Sequence, residues 1–338
     1  MRPLTPQRVA WICIGLAIVL FAAMVISLRV GAYPIGVRDI VMTLVNGVLH
    51  HWDAIPAEFR DVIFEIRLPR ILLGIVVGAS LATAGAGFQA LLRNPLADPY
   101  VLGISSGAAL GAIIALIVAP HTPGAIQLAA FAGAGVTTAA VYFLGRRGGQ
   151  LDSATLLLGG IVTASFLAAV IMFMMTTLSG RDLRGMAFWL MGDLASRPTV
   201  DSRWLFLVLV LGVGSIYATA SDLNLILTGE QEARHLGVNV NRVKIVVYVA
   251  ASILTGLAVS VSGAIGYVGL LVPHLMRMMF GTDYRLLIPT SALGGAILIV
   301  LADALARIVV APTELPVGAM TAIAGAPVFI YLMRRRVR

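Results

Sequence analysis

Long apolar segments recur along the whole of this chain. The segment that follows Arg8 has about 20 apolar residues, and of the 338 residues 59% are hydrophobic while only 12% are charged. A soluble chain of this length carries about a quarter charged residues. A bilayer core about 30 Å thick is crossed by roughly 20 helical residues. The sequence therefore predicts an all-α, polytopic membrane protein and excludes a soluble globular fold.

Ten segments are apolar and long enough to be predicted as membrane-spanning helices. They are 9–29, 69–92, 100–119, 125–145, 152–178, 203–220, 243–263, 264–280, 286–311 and 316–333. The eighth is short and is interrupted by Gly269 and Pro273, so its boundaries are the least defined. The first is too long for the apolar core of a signal peptide, and we interpret it as a retained span.

Charge predicts the orientation of these spans. If the N-terminus is cytoplasmic, the inner loops and termini hold 14 of the 24 basic residues and six of the 16 acidic ones. The outer side then holds equal numbers of both signs, and the whole net charge of +8 falls on the inner side. This is the distribution that the positive-inside rule requires. We expect a multi-pass protein with both termini in the cytoplasm, and no nucleic-acid partner.

The most polar stretch between two predicted spans is TGEQEARHLGVNVNR, residues 228–242. Thr228 with Gln231 matches a capping box, and Gly237 is placed to end a helix. An ordinary connection needs about 2–8 residues, so the segment 221–241 is longer than its task requires. We predict two short cytoplasmic helices that dock on another protein. Apolar side chains suited to a groove on that partner lie among the charges: Leu223, Leu227 and Leu236.

Nothing in the sequence supports catalysis by this chain. A nucleotide-binding loop places a lysine after a run of glycines, and the only lysine, Lys244, follows no such run. No enzyme motif or metal-ligand cluster is present, so we expect a non-catalytic subunit without a metal site. An ion-gradient-driven secondary transporter stays open as the alternative. Such proteins place ionisable residues deep in the membrane, whereas Asp303, Arg307 and Glu314 lie near predicted span ends.

Arginines mark the predicted outer side. Arg67 and Arg70 stand where the second span begins, and Arg307 follows Asp303 by four residues in the ninth. These side chains fit cations at a lipid headgroup boundary, or an i,i+4 ion pair for Arg307. They equally fit fixed cations for acidic groups on an outer partner. The residue pattern leaves both interpretations open.

The segment 180–201, between the fifth and sixth spans, is amphipathic. Its apolar residues include Leu183, Met186 and Trp189. This pattern is typical of a helix lying in the outer membrane interface. It predicts either an anchor or an outer gate over a central path.

Several stretches together resemble one family. These are RLPRILLGIVVGASLATAGAGFQALLRNPLADPYVLGISSGAALG, FWLMG, GEQEARHLGVNV, GYVGLLVPHLMR and ELPVGAMTAIAGAPVFIYLM. They resemble, from about residue 60 to the C-terminus, the permease subunits of ATP-binding-cassette importers for iron siderophores, haem and cobalamin.

The resemblance implies a vitamin B12 permease-like fold: one transmembrane permease domain over 1–338 with ten spans. It also implies a homodimer with the path along its axis, in the cytoplasmic (inner) membrane of a bacterium. Two cytoplasmic ATPase subunits would bind ATP and Mg, and an external or periplasmic binding protein would deliver the cargo. The chain itself would bind no cofactor, and the cargo would be haem, a ferric siderophore or cobalamin.

The resemblance also implies roles for particular residues. Coupling to the ATPase falls on Thr228, Gly229, Glu230, Glu232, Arg234, Leu236 and Gly237. Docking of the binding protein falls on Arg67, Arg70 and Arg307. The translocation path and gate fall on Met172, Met174, Met175, Leu183 and Trp189.

Overall fold

The computed structural model describes residues 5–31, 33, 35–176, 180–195, 201–310 and 313–336. The α-helices of these residues are α1 (Pro6–Arg29), α2 (Val37–Val48), α3 (Ala57–Arg60), α4 (Leu68–Leu91), α5 (Ile104–Val118), α6 (Ala125–Leu144), α7 (Ser153–Met175), α8 (Gly180–Leu190), α9 (Ser202–Ala218), α10 (Ala220–Thr228), α11 (Glu230–His235), α12 (Val240–Ser262), α13 (Val268–Phe280), α14 (Tyr284–Ala306) and α15 (Val317–Arg336). Short 3-10 helices cover Trp52–Ala54 and Pro99–Leu102, and a π-helical segment, Asp61–Arg67, leads into α4. Two short strands, β1 (Arg146–Arg147) and β2 (Gln150–Leu151), pair antiparallel.

The predicted apolar segments all coincide with helices. Six helices in the described part of the chain are long and apolar enough to cross a membrane, and a seventh span arises if α9 and α10, bent by 45°, count as one. Three shorter apolar helices cover Ile104–Val118, Val268–Phe280 and Val317–Tyr331. An all-α membrane fold is confirmed. The number of ten spans stays a prediction, because a helix of 13 residues such as α13 extends only about 20 Å. Residues 177, 178 and 311 of the predicted segments lie outside the described residues.

Helix α4 is the centre of the bundle. Most of its side chains are buried, and it packs against α14, α12 and α13. Helix α1, in contrast, buries little of its surface and lies at the periphery against α14. The difference follows from composition, because α4 is rich in Gly and Ala, which allow close approach on every side.

Glycines bring the helix backbones into contact at three crossings. A Cβ added at Gly78 would lie 2.1 Å from the carbonyl oxygen of Gly295, which fixes the crossing of α4 and α14. At Gly107 the added carbon would lie 2.6 Å from the carbonyl oxygen of Gly133, where α5 meets α6. At Gly85 it would lie 1.9 Å from the carbonyl oxygen of Gly269 on α13. Gly78, Gly85 and Gly107 therefore act as packing contacts between helices.

The shortness of α13 has an identifiable cause. The helix is interrupted between α12 and α13, which leaves backbone groups of Ile265 without helical partners. The Tyr100 hydroxyl donates to the Ile265 carbonyl and accepts from the Ile265 N–H, both at 2.8 Å. Pro273 lies within α13 and cannot donate to the carbonyl of Gly269. The side-chain amide of Gln89 donates to that carbonyl instead, at 3.4 Å. Backbone groups that the membrane would leave unsatisfied are thus paired within the protein.

Helix α2 was not predicted from the sequence. Its 12 residues are too few for a span. One face, with Ile40 and Thr43, is buried against the bundle, while Val41 and Val45 are exposed. The two ends of the bundle are named below for one residue each. The Arg70 end holds α2, α8 and the end of α14, and the Glu230 end holds α10, α11 and the β1–β2 hairpin.

Candidate functional site

Glu230 lies at the centre of an ion cluster at the Glu230 end. Its carboxylate is 2.7 Å from the Lys244 ammonium and 3.5 Å from the Arg93 guanidinium. Lys244 is only 7% exposed and also donates to the Leu151 carbonyl at 3.2 Å. The carboxylate therefore holds α11 against α12 and the segment that follows α4, and its role in coupling stays a prediction.

Further polar contacts anchor α10 and α11. Arg93 donates to the Ile226 carbonyl at 3.0 Å. The Asn224 amide donates to the Asp283 carboxylate at 2.8 Å and accepts from the Tyr284 N–H at 2.9 Å, at the start of α14. Hydrogen bonds, chiefly from the Arg285 side chain, lower the pKa of Asp283 to about 2. The carboxylate is therefore charged at neutral pH, and α10 is tied to α14 as well as to α4 and α12.

The outward side of α10 and α11 is a surface of mixed polarity. Leu236 is 66% exposed, and Leu227, Glu232 and Arg234 are also exposed. We call these four residues the α10–α11 surface. The Arg234 guanidinium donates to the Gln150 side chain at 2.8 Å, which links this surface to the hairpin. Leu223, predicted with the docking side chains, is instead buried in the core.

Two glycines shape this surface, and the capping box predicted at Thr228 is wrong. The Thr228 hydroxyl donates back to the Leu225 carbonyl at 2.8 Å, and Gly229 occupies the N-cap of α11. Gly229 adopts φ 156°, where an added Cβ would lie 1.7 Å from the Glu232 carboxylate. Gly237, with φ 88°, lies just after α11, as predicted. The sharp turn between α10 and α11 therefore requires glycine.

At the Arg70 end, two of the three predicted docking arginines bind the end of α1. Arg67 donates to the carbonyls of Leu28 and Tyr33. Arg307 donates to the Ser27 carbonyl at 3.0 Å and pairs with Asp303 at 3.3 Å, as the i,i+4 spacing indicated. Both guanidiniums are buried. Their contacts join α1 to α4 and α14, and their role in docking stays a prediction.

Arg70 is held by two carboxylates that differ in exposure. Its Nε is 2.7 Å from Asp303, which is 2% exposed, and its Nη1 is 2.6 Å from Glu314, which is 46% exposed. Arg70 itself is 6% exposed, and its Nη2 is buried with no hydrogen-bond partner among the described residues. Neither acid was predicted as a partner of Arg70, because 233 and 244 residues separate them from it in sequence.

The predicted path and gate residues lie on α7 and α8. Met172 is 72% exposed, whereas Met174 and Met175 are partly buried against the core. Leu183 is exposed on α8, and Trp189 is partly buried. The amphipathic helix predicted within 180–201 is present, although residues 196–200 lie outside the described part of the chain.

Helix α8 lies over a cleft and is fixed at its end by glycines. The cleft, of about 460 Å³, separates α8 from α5, α6 and the end of α12, and Gln127 and Ser260 line it. At the end of α8, an added Cβ on Gly263 would lie 1.9 Å from the Trp189 carbonyl oxygen. Gly318 donates its N–H to the Gly192 carbonyl at 3.3 Å. Helix α8 is therefore joined to the end of α12 and the start of α15.

Comparison with known proteins identifies the family. The model of the FecCD transport family matches residues 18–335. The chain is 39% identical to the cobalamin import system permease protein BtuC of Halobacterium salinarum, over 99% of each chain. It is 39% identical to the hemin transport system permease protein HmuU of Yersinia pestis, over 92% of this chain and 91% of that protein. It is 37% identical to the Fe(3+)-citrate import system permease protein YfmD of Bacillus subtilis, over 97% of this chain and 96% of that protein.

A solved structure agrees with these relatives. It is described as an inward-facing conformation of a metal-chelate type ABC transporter. The superposition covers 96% of this chain and 99% of that chain, with a TM-score of 0.82 and 30% sequence identity. The family match, the extent of the relatives and the shared fold all point to the same conclusion. The chain belongs to the FecCD transport family of ABC importer permeases.

Proposed function

We propose that this chain is the permease subunit of an importer that moves an iron chelate or a corrinoid across the cytoplasmic membrane. Two copies of the chain form the path, two ATPase subunits bind at the Glu230 end, and an external binding protein delivers cargo at the Arg70 end. The energy comes from ATP and Mg held by the ATPase subunits. The relatives described above are permeases for cobalamin, hemin and Fe(3+)-citrate, and each of these cargoes is a chelated metal. Haem, a ferric siderophore or cobalamin is accordingly the cargo class.

The α10–α11 surface is the observation that carries this proposal. A helix pair that transmits force needs an exposed face for the partner and a rigid base within its own subunit. Leu236 and Leu227 give an exposed apolar face, and the Glu230–Lys244 and Asn224–Asp283 contacts give the base. Movement of the ATPase would therefore be passed through this base to α4, α12 and α14 as a rigid-body displacement.

Helix α7 supports a path between two copies of the chain. Its exposed face includes Leu158, Val162, Phe166 and Met172, although the helix packs against α5 and α6 on its other side. A second copy that covers part of this face would place the predicted gate residues of α7 and α8 on the subunit boundary. Cargo would then pass along a path that neither copy encloses alone.

Leu236 offers a direct test of the ATPase interface. Leu236→Asp places a charge where the proposed partner needs an apolar side chain, and full burial of a leucine contributes about 1.5–3 kcal/mol. We expect affinity for the purified ATPase subunit to fall at least about tenfold. Uptake of radiolabelled haem, ferric siderophore or cobalamin into ATP-loaded proteoliposomes should fall with it.

Leu49→Asp is the matched control, because Leu49 is 56% exposed at the Arg70 end. It should leave ATPase binding unchanged. Equal losses in the two variants would contradict the assignment of the interface. Full-rate uptake driven by an ion gradient without any ATPase would overturn the proposed function in favour of a secondary transporter.

A further inference from the structure

A small cleft at the Arg70 end has a cation at its base and an acid at its rim. Its volume is about 210 Å³, and its lining includes Ile66, Arg70, Leu194, Ala195 and Glu314. Arg70 belongs to the start of α4, whereas Leu194 and Ala195 follow the end of α8. Three separate parts of the chain therefore meet at this cleft: the central helix, the segment after α8 and the loop before α15.

The two acids on Arg70 are not equivalent. Asp303 is 2% exposed and pairs with both Arg70 and Arg307, so its removal would leave buried arginines without their shared acid. Glu314 is 46% exposed and meets Arg70 through one hydrogen bond, to Nη1. The pair with Glu314 is the weaker one, because water competes for the half-exposed carboxylate. The bond between Arg70 and Glu314 is the exchangeable one.

Arg70 also has unused capacity to bind an acid. Its Nη2 has no hydrogen-bond partner among the described residues, although guanidinium forks bind carboxylates best through two parallel bonds. Glu314 uses only Nη1. A carboxylate that replaced Glu314 and bonded both nitrogens would therefore form one bond more than it displaces. With Glu314 released, two arginines, Arg70 and Arg307, would share the single charge of Asp303, which favours an incoming acid.

The loop that carries Glu314 is connected to α8. The Leu315 N–H donates to the Ala306 carbonyl at 3.1 Å, and α15 begins two residues later. Gly318, the second residue of α15, donates to Gly192 and approaches the Met191 carbonyl so closely that a Cβ would lie 2.1 Å from it. A displacement of the Glu314 loop therefore acts on the chain immediately after α8.

We propose that Glu314 occupies the place of an acidic side chain of the external binding protein. When that protein docks, its carboxylate displaces Glu314 from Arg70, and the released loop shifts the start of α15 against Gly192 at the end of α8. Glu314 thus tunes the affinity of docking and converts docking into movement of the predicted gate. The proposal rests on the proposed function, since it requires an external partner at the Arg70 end.

The first test measures binding of the purified external binding protein of the same importer to the full-length protein in nanodiscs. Glu314→Gln removes the competing charge and keeps the side-chain size, so its affinity should rise about tenfold at low salt, the size of one half-exposed charge-assisted bond. Arg70→Lys loses the fork and should bind more weakly than wild type. Asp61→Asn is the control, because Asp61 is 62% exposed at the same end and pairs with exposed Arg60.

The outcomes separate the two proposals. If the wild-type protein does not bind the binding protein, the proposed function fails. If the wild-type protein binds but Glu314→Gln binds equally or more weakly, or Asp61→Asn binds as tightly as Glu314→Gln, the role of Glu314 is wrong.

The second test needs no partner. Phe188→Cys places a thiol on α8, and Cys13→Ser removes the native cysteine. In this background Glu314→Gln should change the rate of maleimide labelling at position 188 several-fold, whereas Asp61→Asn should not. An unchanged rate would show that release of Glu314 does not reach α8, and it would overturn the link to the gate.

Discussion

The ion pair between Glu230 and Lys244 allows a quantitative test of the base beneath the α10–α11 surface. At 2.7 Å the gross attraction is about 6 kcal/mol with an effective dielectric constant of about 20. Removing one partner of a fully buried pair costs about 3–5 kcal/mol. Glu230 is 25% exposed, and Lys244 keeps its bond to the Leu151 carbonyl. We therefore expect Glu230→Gln to lower the free energy of unfolding by about 2 kcal/mol.

The measurement is thermal unfolding of the purified protein in detergent. A loss of about 2 kcal/mol should lower Tm by about 3 °C. The double variant Glu230→Gln/Lys244→Met should recover most of this loss, because it removes the unpaired charge along with its partner. Glu232→Gln is the matched control, since Glu232 is exposed on the same helix and should leave Tm unchanged. In proteoliposomes, Glu230→Gln should raise the ATP hydrolysed per cargo imported, because α11 is then held less firmly to α12.

Two results would refute this reasoning. A fall of Tm in Glu232→Gln equal to that in Glu230→Gln would show that the loss of any charge on α11 has the same effect. A double variant no more stable than Glu230→Gln would show that the buried lysine is not the source of the cost.

Two further predictions concern packing and acid stability. Gly78→Ala should lower Tm, because overpacking of the α4–α14 crossing costs about 1–3 kcal/mol. Gly135→Ala is the control, since Gly135 has no neighbour within 4 Å and its replacement should leave Tm unchanged. Equal Tm values of the two variants in detergent would contradict this account. The pKa of Asp283 is lowered to about 2 from 3.8, so its contribution to stability is complete above about pH 4 and is lost as pH falls toward 2. Asp283→Asn, which keeps a capping side chain, should flatten the dependence of Tm on pH in that window, and an unchanged slope would refute the assignment.

The helices were predictable because their pattern is local. A run of apolar residues about 20 long has few folded alternatives, so all the predicted segments coincide with helices. Close packing at Gly78 and Gly107 has the same local origin, because glycine lets two helix backbones come into contact. Helix α2 was not predicted by length and hydropathy, because its 12 residues are too few for a span and are apolar on one face only.

The side-chain partners were not predictable because they depend on tertiary structure. The sequence places Glu230 in a polar loop, but in the structure Lys244 of the following helix, α12, pairs with it. The sequence does indicate that Lys244 has an acidic partner, because a lysine buried in an apolar segment must be paired with an acid. Arg70 gave no such indication, because Asp303 and Glu314 are distant in sequence. Thr228 matched a capping box, but the φ of Gly229 moved the start of α11 by one residue.

The two ends of the bundle differ in one respect: the Arg70 end has, beside the buried ion pairs of Asp303, an exchangeable pair with Glu314, whereas the ion cluster at the Glu230 end centres on the buried Lys244. At the Glu230 end, Lys244 is buried and paired, and such contacts persist while the helices move as one body. At the Arg70 end, Glu314 is half exposed and held by one bond, so a partner can replace it at little cost. A ligand shifts a conformational equilibrium only by its difference in affinity for the two states. Under the proposed function, the exchangeable pair of Glu314 would place the conformational choice at the proposed docking site of the binding protein. The buried Lys244 pair would place the transmission of force at the proposed ATPase interface.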